Sequence, residues 1–336
     1  MPEIVVSKPG LQTTVQDLGR PTHQIDGFPS SGSMDRLASR LANVLVGNKD
    51  NAAVLEFSLL GGDLIFTTTT FIAFTGGDFP LKVNGQSISA NRAFQIHQND
   101  HLWIGPCRQG RYGYLAIAGG IVEPTVMDSR ATTVRIGIGG HHGRALMSGD
   151  HLPIKTVYTL PAFAHRLAEP LTLPTSAQTL KVRVVKGPQW TKFEKSAQQQ
   201  FLSQTYQLSS QTDRMGYRLS GKPLKTGVAN MLSEATVLGG IQISANGQPI
   251  VLLADRQTTG GYPIIAVIIS ADLRVFVQCR DQQRIQFELV SLEAAQKALL
   301  TAHHRLDDLQ AHFFNQRFKL PIEKTRSAAQ RIQKLF

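Results

Sequence analysis

Cysteine is nearly absent, with Cys107 and Cys279 the only two in 336 residues. Two thiols cannot build a disulfide framework, and neither lies in a metal-binding or redox spacing, so ordinary reduced cysteines of a cytoplasmic protein are expected. Long apolar runs are missing as well. No stretch approaches the roughly 18 residues of a membrane span, and MPEIVVSKPG lacks the basic-then-apolar order of a secretory leader. HExxH, GxSxG and CxxC do not occur, which removes three common hydrolase and redox signatures. Adjacent His141 and His142 cannot easily both turn toward one metal from an extended backbone, so no metal site is expected.

Acidic charge is the scarcer sign: 24 Asp and Glu stand against 35 Lys and Arg, a net charge of +11. Such a surplus favours anionic partners such as nucleotides, carboxylates or phosphates. The cations are scattered, without a basic run or a row of stacking aromatics, so nucleic acid is not an expected partner.

What the chain does have is an internal repeat. VVSKPGLQT from Val5 and VRVVKGPQWT from Val182 place Lys8 and Lys186 178 positions apart. SGSMDRLASRL and SQTDRMGYRL keep that offset, pairing Asp35 with Asp213 and Arg36 with Arg214. LEFSLLGGDLI and SEATVLGGIQI keep it again, pairing Glu56 with Glu234. With a shift of a few residues, FIAFTGGDFP resembles VLLADRQTTGGYP, each running an apolar strand into Gly-Gly, an aromatic residue and a proline. An ancient duplication is the expected origin.

Most of the chain alternates short Val, Ile, Phe and Thr runs with Gly, Asn, Asp and Pro breakers, and Asn84-Gly85 reads as a hairpin turn. The pattern predicts a mainly β protein, one barrel or sandwich per half. Residues 1–155 form the first half, 156–180 a linker, 181–290 the second half and 291–336 a helical extension. One helix per half is expected, the first over MDRLASRLANVLVG with Gly47 as its stop. Leu292, Ala295, Leu299, Ala302, Leu306, Leu309 and Phe313 form a helical seam that lies across its own domain or, alternatively, meets a second copy. IEKTRSAAQRIQKLF reads as a short basic helix.

GYRLSGKP nearly matches a phosphate loop, but Pro223 stands where the magnesium-binding hydroxyl must be. GIGGHHGR could wrap backbone N–H groups around an anion. The remaining chemistry rests on carboxylates, arginines and amides. Asp35, Glu56, Gly76, Gly77, Asp78, Arg130 and Arg144 are the candidates in the first half. Asp213, Arg214, Tyr217, Glu234 and Gln242 join the loop Asp255, Arg256, Gln257, Thr258, Thr259, Gly260, Gly261 and Tyr262 in the second. That loop carries more hydrogen-bonding groups than a hairpin turn needs. Two related barrels would bring such loops to a shared cleft, with Asp255, Arg256 and Gln257 the candidate catalytic group.

KPGLQTTVQDLGR, SGSMDRLASRLANVLVGN, LEFSLLGGDL, TGGD, YLAIAGG, GGHHGRAL, DRMGYRL and DRQTTGGYP resemble, in this order, motifs of the allophanate hydrolase subunit 2 family, also called the biotin-dependent carboxyltransferase family. The resemblance covers about Ile4 to Leu292; SRATT at Ser129–Thr133 departs slightly from the usual Ser-Arg-Ser-Thr. It implies two tandem cyclophilin-like β-barrels and a partner of the subunit 1, or KipI-like, family. Family members include the 5-oxoprolinase C component, KipA-like regulators and part of urea carboxylase. The implied activity is therefore ATP-dependent opening of the lactam of 5-oxoproline, together with the A and B components and inactive without them, ATP with magnesium being the co-substrate. The alternatives are biotin-dependent carboxylation of urea or another amide, and a non-catalytic regulator. The chain has no Ala-Met-Lys-Met biotin-attachment motif.

Overall fold

The computed structural model describes residues 2–157, 161–225 and 231–316. Two antiparallel sheets make the first half. One runs in spatial order His151–Pro153, Glu3–Lys8, Asp63–Phe66, His101–Ile104, Leu81–Val83 and Gln86–Ile88. The other runs Thr13–Gln16, Val54–Ser58, Gln109–Ile117, Thr70–Asp78 and Ala93–Ile96. Alternate residues such as Val6, Leu64, Phe57, Phe74 and Leu115 face one another between the sheets and form a core there. Asn84 and Gly85 both take positive φ, as the expected hairpin turn requires.

The second half closes into a barrel of seven strands: Leu180–Lys186, Ile264–Ile268, Gly240–Ile243, Pro249–Leu252, Gly216–Ser220, Tyr206–Thr212 and Arg284–Leu289. Closure is parallel, with Leu180 beside Ile285. Gly216–Ser220 of the phosphate-loop look-alike is a barrel strand, not a loop around an anion.

Four α-helices occur among the described residues. α1 (Arg36–Leu45) follows the expected stretch: Asp35 caps it by accepting from the Ala38 N–H at 3.0 Å, and Gly47 beyond its end has φ 74°. α2 (Lys195–Ser203) and α3 (Ser270–Val277) both lie in the second half, where the sequence pattern predicts one helix. α4 (Leu292–Asn315) packs on α3 and α1, with Leu306 and Phe313 buried, so its seam does lie across its own chain. The basic segment from Ile322 onward lies outside the described residues.

The repeated Asp-Arg pairs diverge in local structure. Asp213 accepts from the Met215 and Gly216 N–H groups at 2.8 and 3.1 Å and turns the chain between two strands, where Asp35 starts a helix. A carboxylate captures exposed backbone N–H groups in both places, but the strand formers after Asp213 continue as barrel. α1 lies on the outer face of the five-stranded sheet, and its buried face runs on into the barrel's core.

Candidate functional site

Glu56 sits in a strand, Val54–Ser58, buried on both faces. Its side chain points to the α1 side and is trapped among donors. Glu56 Oε2 accepts from the Met34 N–H and the Tyr114 hydroxyl, both at 2.8 Å, and Oε1 accepts from Arg214. Arg214 also forks onto Asp255 (2.8 and 3.0 Å) and reaches the Gly32 carbonyl at 2.7 Å. Burial alone would lower the Arg214 pKa, but Asp255 and Glu56 more than offset this and hold the guanidinium above its ordinary range.

Gln278, fully buried, adds a second bolt between the halves. It donates to Asp35 Oδ2 and the Tyr112 carbonyl, each at 3.0 Å, and accepts from the Arg111 and Tyr112 N–H groups. Tyr217 donates to the Val277 carbonyl at 2.8 Å. Five predicted residues, Asp35, Glu56, Arg214, Tyr217 and Asp255, are thus brought together as a buried polar joint.

Arg256, next to Asp255, points the other way, into a cleft of about 640 Å³ on the barrel side. The cleft gathers Asp213, Gln242, Arg256, Gln257, Thr259, Gly260, Gly261 and Tyr262 as the sequence predicts. Its rim is a small two-stranded flap that pairs Glu234 with Gly260 and Ala235 with Thr259. The Thr258 carbonyl accepts from the Thr236 N–H at 2.9 Å, Glu234 accepts from Gln189 at 2.8 Å, and Gln242 donates to the Tyr262 carbonyl at 3.3 Å. The nine-residue loop therefore carries a flap as well as a turn.

Arg256 is only 5% exposed. Its Nη2 donates to Gln24 Oε1 at 2.8 Å and Nη1 reaches the Leu253 carbonyl at 3.4 Å, while the buried Nε has no partner among the described residues. No carboxylate pairs with it among the described residues. Burial first, then the like charge of Arg36, brings this guanidinium down to about 10. A buried cation facing a cleft without a counter-ion is a seat for an anion or a developing oxyanion.

Sequence reasoning missed Arg135 and Arg218, which line the same cleft. Arg135 comes from the first half, beside GIGGHHGR, and reaches the sulfur of Met215. The glycines of GIGGHHGR were a signal that the backbone folds tightly here, and Gly137, Gly139, Gly140 and Gly143 all have positive φ.

Three predicted elements stand elsewhere. Gly76, Gly77 and Asp78 end a strand beside Cys107 and Tyr112 and do not line this cleft. The TGGD and DRQTTGGYP turns do not share a cleft, because the sheet strand carrying the first ends against Arg108–Tyr112 instead of facing the flap. Arg130 donates to the Glu123 carbonyl at 2.6 Å. Arg144 forks onto Asp150 at 2.7 and 2.8 Å, and His141 bonds Glu123 at 2.8 Å.

Hydrogen bonds from Arg144 hold the Asp150 carboxyl down at about 2. A depressed carboxylate contributes stability above its unfolded pKa of about 3.8, and that contribution is lost as pH falls through about 2. Because Arg144 is partly open to solvent, about 1 kcal/mol is expected. Urea unfolding of Asp150→Asn should show that deficit near neutral pH and converge on the parent between pH of about 4 and 2; parallel curves would refute it.

Among the described residues no three His, Cys, Asp or Glu side chains lie together as a metal-ligand set, and no helix is long and apolar enough to cross a membrane.

The model of the family "Carboxyltransferase domain, subdomain A and B" matches residues 26–289. The C component of the 5-oxoprolinase of Escherichia coli (strain K12) is 38% identical over 297 residues, covering 87% of this chain and 93% of that protein. The protein of the same name from Haemophilus influenzae is 35% identical over 287 residues, covering 85% of this chain and 91% of that one. The crystal structure of the Kluyveromyces lactis urea carboxylase superposes with a TM-score of 0.82 at 29% identity, over 91% of this chain and 29% of that chain.

Proposed function

The chain belongs to the family of carboxyltransferase domains, subdomains A and B, and on that premise we propose that it is the C component of an ATP-dependent 5-oxoprolinase. It works with the A component and a KipI-like B component to open the lactam of 5-oxoproline to glutamate. The observation that carries this reading is Arg256, a largely buried guanidinium with no carboxylate partner among the described residues, in the wall of a cleft lined with amides. The substrate has a carboxylate and an N–C=O unit. Arg256 fits the carboxylate or the charge that grows on the amide oxygen, Gln242 and Gln257 supply neutral donors, and Asp213 stands in the same cleft to take up the N–H proton. ATP with magnesium is the co-substrate in this reading, and Arg135 and Arg218 suit its phosphate oxygens. When bound, ATP supplies the energy that activates the lactam.

The buried joint of Asp35, Glu56, Arg214 and Asp255 positions this wall without touching substrate. We read the two halves, 1–155 and 181–290, as cyclophilin-like units descended from one duplication, the first laid out as two sheets and the second closed into a barrel. Biotin-dependent amide carboxylation is the second reading, favoured by the likeness to urea carboxylase. Co-purification with the A and B components should yield glutamate that requires ATP, 5-oxoproline and this chain. No glutamate above the chain-omitted control would sink the first reading; avidin-sensitive bicarbonate incorporation would establish the second.

A further inference from the structure

The proposed reaction leaves a second cavity unused. It encloses about 250 Å³ between α1, α3, α4 and the Leu253–Ala254 segment. Leu37, Leu253, Leu273, Val277 and Leu299 make much of it apolar. Against them stand the guanidiniums of Arg36, Arg40 and Arg274, and no carboxylate among the described residues lines the space.

Arg40 is engaged by Asp50, with Nε at 2.9 Å. The other two arginines have no carboxylate hydrogen-bonded to them among the described residues, although the charge of Asp35 acts on Arg274 and that of Asp17 on Arg36. Arg274 donates Nη2 to the Thr172 carbonyl at 3.0 Å, but its Nε is buried with no partner among the described residues. Arg36 has no side-chain hydrogen bond or ion pair among the described residues. It is also the first residue of α1, at the helix's positive end, where a cation is disfavoured. Burial lowers its pKa, with Asp17 opposing that shift only in part. Desolvation and the helix dipole both argue against a cation at this position unless an anion joins it.

The roof of the cavity is α4, through Leu299, Ala302 and His303. These residues lie beyond residue 289, where the family match ends.

We infer that this cavity is a second small-molecule site, for a short-chain carboxylate whose charged end meets Arg36, with Arg274 in the same wall, while its hydrocarbon body rests on the leucines beneath α4. The unengaged guanidinium fork of Arg36 suits a single carboxylate, which accepts two parallel N–H bonds. The apolar wall selects for a hydrocarbon body over a polar one. The site is distinct from the Arg256 cleft and does not depend on the reaction proposed for it.

Calorimetric titration of the full chain with 4-methylpentanoate, with 4-methylpentanamide as uncharged control, tests this. The acid should bind at one site and the amide should not. Arg36→Gln should weaken binding by about tenfold or more, and because Arg36 has no side-chain partner to lose among the described residues, that variant should melt no lower than the parent. Leu299→Trp, which fills the cavity, should abolish binding, while Arg256→Gln should leave it intact. Failure of the parent chain to bind either 4-methylpentanoate or butanoate would overturn the assignment. So would undiminished binding by Arg36→Gln, or loss of binding in Arg256→Gln, which would place the anion in the cleft.

Discussion

Arg214→Met should cost about 3–5 kcal/mol of stability, the usual penalty when one member of a buried ionic group is removed. A chain of this kind has a total of about 5–15 kcal/mol to lose. The size follows from what stays behind. Glu56 and Asp255 are 2% and 8% exposed, and without the guanidinium they become two desolvated carboxylates facing one space. The Gly32 carbonyl loses its donor as well. Arg214→Lys should recover little, since an ammonium cannot fork onto Asp255 while reaching both Glu56 and Gly32. Adding Glu56→Gln and Asp255→Asn to Arg214→Met should restore much of the loss, because the charges are then removed together. Urea denaturation of the series measures this; Arg214→Met unfolding at the parent's midpoint would mean that the joint does not hold the halves together.

How much of this was legible in the sequence depends on how local each interaction is. α1 could be read directly, because its cap, apolar face and glycine stop all lie within Asp35–Gly47. The strands with Asn-Gly turns were readable for the same reason. The joint was not. Arg214 meets Glu56 across 158 positions and Gln278 meets Asp35 across 243, and composition cannot choose among such partners. Repetition at a fixed offset drew attention to Asp35, Glu56, Asp213 and Arg214, but it did not separate residues that hold the halves together from those that face a ligand. Asp255 and Arg256 make the point most sharply. As neighbours they read as one catalytic group, yet the chain turns between them, so one side chain closes the joint and the other opens onto the cleft. The cavity under α4 was equally hidden, since its seam residues announce a helix but not what the helix covers.

Arg256→Met should move activity and stability in opposite directions. In the assembled enzyme kcat/KM should fall by about 10²–10³, the range seen when a preorganised donor to a developing negative charge is removed. Stability should rise by about 1–2 kcal/mol, because the buried cation is penalised in the folded state and Met fills the space of its stem. The sign follows from linkage. The folded-state value of about 10 lies below the ordinary 12.5, so the penalty is present in full below pH of about 10 and fades as pH rises toward 12.5, as the folded and then the unfolded side chain loses its proton. Near neutral pH the substitution removes that whole cost, less the hydrogen bond to Gln24. A structural arginine would behave otherwise: losing it would lower the melting temperature and activity together. Thermal melting of the chain alone and steady-state kinetics of the complex, made on the same variant, separate the two cases. A less stable Arg256→Met with activity near that of the parent would remove Arg256 from the substrate wall, and with it the main physical support for an anion seat in the cleft.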